Sequence, residues 1–317
     1  MGLVAAVNEA GARLGPWKNQ GLDVNYKISG GSLAAAKSVA SGKDAFGNGG
    51  FGAVLQLIES GAPLKIIGVC TSPFGGVITK KSSGIRTWKD LEGTTVGQIP
   101  YGSTAPVAKA AMRKRGVDPS KITFQNVQPG AGVKLMMEGK LDSIIRYVPQ
   151  TSARLEHAGI ETVSLLSADV LDHLGVALYT RKEIANSHPE LVNKFTRGWL
   201  NAFQVWATDF DEVLQMYKPL MVGEPNMEVE RMYLGPLYAS QVPNKDIGLE
   251  HGKGWVPEQK MTNTIEAFKS AGLLDSSPSI DDVFTNRFLR NNEQLAIETA
   301  KALYDRLKDF KVGPNYM

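Results

Sequence analysis

The residues best suited to chemistry lie in one stretch, Thr94–Arg113, reading TTVGQIPYGSTAPVAKAAMR. A β-rich run from Thr95 to Ile99 leads into Pro100-Tyr101-Gly102-Ser103-Thr104, and a helical pattern follows from Ala105 to Lys114. Pro106 falls in the first turn, where a missing N–H is tolerated. Ser103 or Thr104 is then the expected N-cap, and Gly102 lets the backbone approach closely. Strand end, hydroxyls and helix N-terminus form a corner of free N–H groups at the positive end of a dipole, suited to an anion or strong acceptor. Taken alone, the corner is also what an ordinary serine-capped helix looks like.

Other chemistries have little to work with. The one cysteine, Cys70, excludes an internal disulfide and a cysteine-rich metal site. It is the sole candidate thiol nucleophile, in an apolar run with no histidine near it in sequence, the setting of an inert packed thiol. His157, His173, His188 and His251 show neither H-x3-H nor HExxH spacing. No metal and no cofactor is therefore expected. A net charge of +3 without a long basic run argues against a nucleic-acid partner, and no apolar stretch approaches a membrane span. At 317 residues and 43% hydrophobic, the chain can bury the cores of two lobes.

The elements that must position the corner follow from periodicity. A helix is predicted over 2–14, and a strand over 21–28 by alternation, ending at Ser29-Gly30-Gly31-Ser32. Then come helix 33–41, strand 43–48, the turn Gly49-Gly50-Phe51-Gly52, helix 53–60 and strands 64–71 and 74–81. After the central unit come strand 122–127, helix 132–138 and strands 143–148, 161–166 and 175–180. Strands alternating with helices predict parallel sheets with crossover helices. Ser187-His188-Pro189-Glu190 reads as a capping box opening a long helix, with Leu191, Phe195, Trp199, Phe203 and Trp206 as a core stripe. The rest is predicted helical, over 210–217, 227–234, 258–271 and 292–309.

An internal echo shapes the architecture. Ile28-Ser29-Gly30-Gly31-Ser32, a helix and then Ser41-Gly42-Lys43-Asp44 correspond to Val127-Gln128-Pro129-Gly130-Ala131, a helix and then Glu138-Gly139-Lys140-Leu141-Asp142. Upstream of each is a Gly-(Leu/Val)-Asp step, at 21–23 and 116–118. The chain thus holds two similar β-α-β-α-β units. The second opens with strand 95–99, whereas the first opens directly on its helix, so a first strand is expected to be missing.

The GLDV step (21–24), the GGS turn (30–32), ASGKDAFG (40–47), SGIRTWKDLEGTTVG (83–97), GSTA (102–105), HPELVNKF (188–195) and DDVFTNRFL (281–289) resemble one family. It comprises the substrate-binding proteins of bacterial ABC importers for nitrate, sulfonates, taurine and thiamine-pyrimidine precursors, and the likeness covers nearly the whole chain. The resemblance implies a type II periplasmic-binding fold. Lobe one would be 1–73 plus 177–317, with a C-terminal helical extension, and lobe two 74–176. They would be joined by crossings near 71–76 and 173–179. It implies a monomer that captures a small anionic organic solute and presents it to a membrane permease, in the periplasm or another extracytoplasmic space. No secretory leader is present, so export follows from the resemblance alone. The step Ile145-Arg146-Tyr147-Val148-Pro149 departs from the aromatic–acidic–Pro pattern common in the family, which leaves the ligand open.

Ligands of open α/β sheets sit beyond the carboxyl ends of strands. The expected ligand-binding residues are therefore Gly31, Ser32, Asn48, Gly49, Phe51, Phe74, Tyr101, Ser103, Thr104, Gly130, Arg146 and Tyr147. Alternatives on the same fold are an enzyme, of sulfinate-cleaving or pyrimidine-forming type, and a ligand-sensor domain.

Overall fold

The structure, a computed structural model, describes residues 4–100, 102–128, 131–218, 242, 243 and 245–308. Two sheets organise it. The first has the order β1-β8-β2, built from Phe46–Gly50 (β1), Leu64–Thr71 (β2) and Val176–Arg181 (β8). The second has the order β5-β4-β6-β3-β7, built from Gly75–Lys80 (β3), Thr95–Gln98 (β4), Thr123–Asn126 (β5), Ser143–Tyr147 (β6) and Thr162–Leu166 (β7).

The sheets are mixed, which corrects the expectation of parallel ones. β4 runs parallel to β5 and β6, but β3 is antiparallel to β6 and β7. In the other sheet β8 is antiparallel to both β1 and β2. The reversed strand in each sheet is the one that has just arrived from the other: β3 follows β2 after residues 72–74, and β8 follows β7 after residues 167–175. A strand arriving from the far side of the molecule meets the sheet at the opposite end from the local crossovers, and so runs the other way.

Helices α1 (Val4–Arg13) and α2 (Ser32–Ala40) precede β1, and α3 (Phe51–Glu59), α4 (Thr104–Lys114), α5 (Ala131–Met137) and α6 (Val148–His157) connect later strands. Helix α6 has no counterpart in the sequence expectation. After β8 come α7 (Lys182–Ser187), α8 (Pro189–Thr208) and α9 (Phe210–Tyr217). Helices Lys245–Glu250, Glu258–Ser270, Ile280–Val283, Arg287–Arg290 and Glu293–Leu307 follow. The helix expected at 227–234 lies outside the described residues.

Two expectations fail for local reasons. Residues 22–29 form no strand and belong to neither sheet. Ser187 is not a cap: it ends α7, and α8 starts at Pro189 behind His188 without any side-chain cap bond. The α8 stripe is core, with Phe195, Trp199, Phe203 and Trp206 buried and Leu191 packed at its margin. Each such burial contributes roughly 1.5–3 kcal/mol. The Trp17 indole N–H donates to the Phe195 carbonyl at 2.8 Å, and its ring lies where any Gly198 side chain would stand.

Under α8 lies a buried lysine. Lys253 is 2% exposed; its ammonium donates to the Cys70 carbonyl and sits 4.2 Å from the Phe203 ring centroid. Burial lowers its pKa from 10.5 to about 7. The unfolded chain is then the stronger proton binder between those values, so this group makes stability rise with pH from about 7 towards 10. Lys253→Met is expected to flatten that rise in urea-denaturation profiles and to raise stability at neutral pH and below by on the order of a few kcal/mol. Parallel profiles for the two proteins would contradict it.

Candidate ligand-binding cleft

The two nominated helix starts meet across the sheets. Gly31, at φ 144° a conformation that glycine adopts readily, precedes α2, and Ser32 is its first residue. The Ser32 hydroxyl accepts the Gly50 N–H at 3.0 Å, tying the start of α2 to the end of β1. From the second sheet, Ser103 precedes α4 and reaches the same glycine: a Cβ on Gly50 would stand 2.7 Å from the Ser103 Cβ and Oγ. Similarly, a Cβ on Gly75 would stand 2.9 Å from a Thr104 methyl.

Ser103 occupies the N-cap position, but its backbone is helical and its side chain makes no capping bond. The expected cap is therefore not formed. The consequence is chemical: neither hydroxyl is committed to closing the helix, and the first-turn N–H groups of α4 keep their dipole and their need for an acceptor.

A space of about 40 Å³, above the roughly 10–15 Å³ that admits a water, lies where the elements converge. Phe51, Phe74, Ser103, Thr104 and Tyr147 line it, with Ser72 and His173. A larger cavity of about 660 Å³ adjoins it, and Gly31, Ser32, Asn48, Gly49, Phe74 and Tyr147 are among its walls. The Phe74 and Tyr147 rings, 4.8 Å apart and tilted by 49°, line both spaces. Phe51 is 1% exposed and packed in the core, so it serves as floor.

Arg146 lies elsewhere. Along β6 the side chains alternate faces, and Tyr147 takes the face that meets the cleft. Arg146 lines neither space; burial and neighbouring Arg154 lower its pKa. Tyr101 and Gly130 fall outside the described residues. Among the described residues, no lysine or arginine lines the small space.

His173 is what sequence reasoning missed. Its Nδ1–H donates to the Leu174 carbonyl at 2.8 Å, which leaves a lone pair on Nε2. That Nε2 is buried with no hydrogen-bond partner among the described residues, and burial lowers the imidazole pKa. The available signal was position, since His173 stands just ahead of the strand that returns to the first sheet. Cys70 is buried and burial pushes its thiol up to about 12, so it holds no thiolate at neutral pH. Among the described residues, no three histidine, cysteine, aspartate or glutamate side chains cluster as a metal site would require.

Two α/β sheets joined by two crossings, with helix starts converging at their junction, define the type II periplasmic-binding fold. The chain belongs to the NMT1/THI5-like family, whose profile matches residues 10–212. It is 26% identical over 292 residues to a riboflavin-binding protein, RibY, of Chloroflexus aurantiacus, covering 88% of this chain and 80% of that one. It is also 26% identical over 245 residues to a 4-amino-5-hydroxymethyl-2-methylpyrimidine phosphate synthase of Legionella pneumophila, covering 72% and 70%. Among solved structures, the alkanesulfonate-binding protein SsuA of Xanthomonas axonopodis pv. citri, bound to MOPS, superposes with a TM-score of 0.65 at 16% identity, covering 89% of this chain and 94% of that one.

The contact at Gly50 is testable directly. Gly50 has φ −55°, so alanine is tolerated by the backbone, but its methyl would collide with Ser103. Overpacking of this kind costs about 1–3 kcal/mol. Gly50→Ala is expected to hold the two sheets apart, enlarging the radius of gyration in small-angle scattering and lowering the melting temperature by about a few degrees. An unchanged radius would show that the contact does not limit closure.

Proposed function

We propose that this chain is an extracytoplasmic solute-binding protein of an ABC importer. It takes a small anionic organic solute between lobe one, 1–73 with 177–317, and lobe two, 74–176, and delivers it as a monomer to a membrane permease. The observation that carries this reading is the meeting of two helix starts from different sheets, Ser32 and Ser103, on either side of Gly50. A solute that accepts hydrogen bonds from both would be held only when the lobes close, so binding and closure become one equilibrium. Phe74 and Tyr147 supply walls for the organic part. The anion would be held by hydroxyls and helix N–H groups rather than by a lysine or arginine, which suits a sulfonate or carboxylate that must also be released. A pyrimidine precursor is a third class compatible with those walls.

The synthase among the relatives keeps an enzymatic reading in view. Against it stands the state of the sole thiol, buried and protonated within β2 with Lys253, not a histidine, at its carbonyl.

Native mass spectrometry of the protein as purified, followed by calorimetry with alkanesulfonates, MOPS, riboflavin and pyrimidine precursors, tests the class. Ser32→Ala and Ser103→Ala are each expected to weaken an anionic ligand by about tenfold or more, since a hydrogen bond to a charged group contributes about 1.5–3 kcal/mol. Tight binding of neutral riboflavin that ignores both substitutions would overturn the anion-site reading. Cys70→Ser is expected to leave affinity unchanged; turnover of a sulfinate or pyrimidine precursor that vanishes in this variant would replace the binder with an enzyme.

A further inference from the structure

One polar atom at the junction has the opposite character from the donors around it. His173 lies in the return crossing between β7 and β8, and it lines the 40 Å³ space together with Ser103 and Thr104 from the start of α4. The ring is held from behind. Its Nδ1–H donates to the Leu174 carbonyl at 2.8 Å, the Leu174 N–H donates to the Thr264 hydroxyl at 3.1 Å, and that hydroxyl donates to the Lys260 carbonyl at 2.8 Å. Phe268 packs on the ring, with centroids 5.5 Å apart. Because a carbonyl only accepts, Nδ1 carries the proton and Nε2 the lone pair. The residue is 7% exposed, and Nε2 has no hydrogen-bond partner among the described residues. The charged groups nearest to it, Lys260 and Asp172, pair with each other, and burial keeps the imidazole neutral at neutral pH.

A buried acceptor without a donor is costly, and a ligand that brings the donor removes that cost. The hydroxyls of Ser72, Ser103, Thr104, Ser167 and Tyr147 line the same space, and each can donate to an anion. Neutral His173 cannot: an acid group against Nε2 would set lone pair against lone pair. The acid end of a solute therefore belongs at the start of α4, and a donor belongs at His173. Among the described residues, no aspartate or glutamate lines the space. An ammonium would enter it without a counter-charge, whereas a hydroxyl or a neutral N–H would not need one.

We infer that His173 is the specificity-determining residue of the cleft, and that the solute is an organic acid carrying a hydroxyl or neutral N–H close to its acid group, which Nε2 accepts. This rests on the anionic-solute reading: helix starts hold the acid, and His173 selects among acids. In a closed cleft, an acid without the donor leaves Nε2 unpaired, and that loss separates it from its hydroxy analogue.

Calorimetry with matched pairs tests the assignment, 2-hydroxyethanesulfonate against ethanesulfonate and lactate against propionate. In at least one pair the hydroxy acid should bind about tenfold or more tightly than its plain partner. Taurine, with an ammonium in place of the hydroxyl, should bind no better than ethanesulfonate. His173→Asn keeps an N–H near the Nδ1 position and offers nothing at the Nε2 position, so it should close the difference within the pair. His173→Gln places an amide oxygen near the Nε2 position and should keep part of it. Equal affinities within both pairs, a difference that survives His173→Asn, or taurine as the tightest sulfonate would overturn the assignment and leave the anion site standing. Binding of none of these acids would overturn the anionic-solute reading, and the assignment with it.

Discussion

The structure depends on a contact that only a residue without a side chain allows. At Gly175 the return crossing touches the outward one: a Cβ there would stand 2.4 Å from the carbonyl oxygens of both Thr71 and Ser72. No rotamer relieves a clash between backbone and Cβ, so the two crossings are held together by backbone proximity. The Gly175 carbonyl also accepts the Phe51 N–H, which adds the start of α3 to the junction. The carboxyl end of β1, the end of β2 and the beginning of β8 are thereby brought to one point. The strand reversals follow, because β3 and β8 leave this point into sheets whose other strands were laid down locally.

That arrangement was partly legible in the sequence. Strand 64–71 and helix 210–217 have the bounds their apolar runs predict, because both patterns are unbroken and end at turn residues. Residues 22–28 mislead for the opposite reason: alternation reports which side chains are half-buried, whereas a strand also needs a neighbour's backbone. Ser187 misleads because a capping signature describes a possible helix start, and here the chain already spends Ser187 in α7. Lys253 is invisible to patterning. Its place is set by Gly252–Gly254, where backbone bonds to Ala296 and Val69 thread the segment between β2 and the last described helix.

The candidate site was legible as a set of turns but not as a set of directions. Ser32, Phe74, Ser103 and Tyr147 converge, whereas Arg146 is turned away by the single-residue alternation that brings Tyr147 in. Under the proposed anion-binding reading, charge recognition falls to helix starts and hydroxyls, which offer donors without carrying a full charge. In that reading such donors hold an anion only when water is excluded, and exclusion comes from the approach of Ser103 to Gly50 across the two sheets. Affinity and closure would then be the same quantity viewed from two sides.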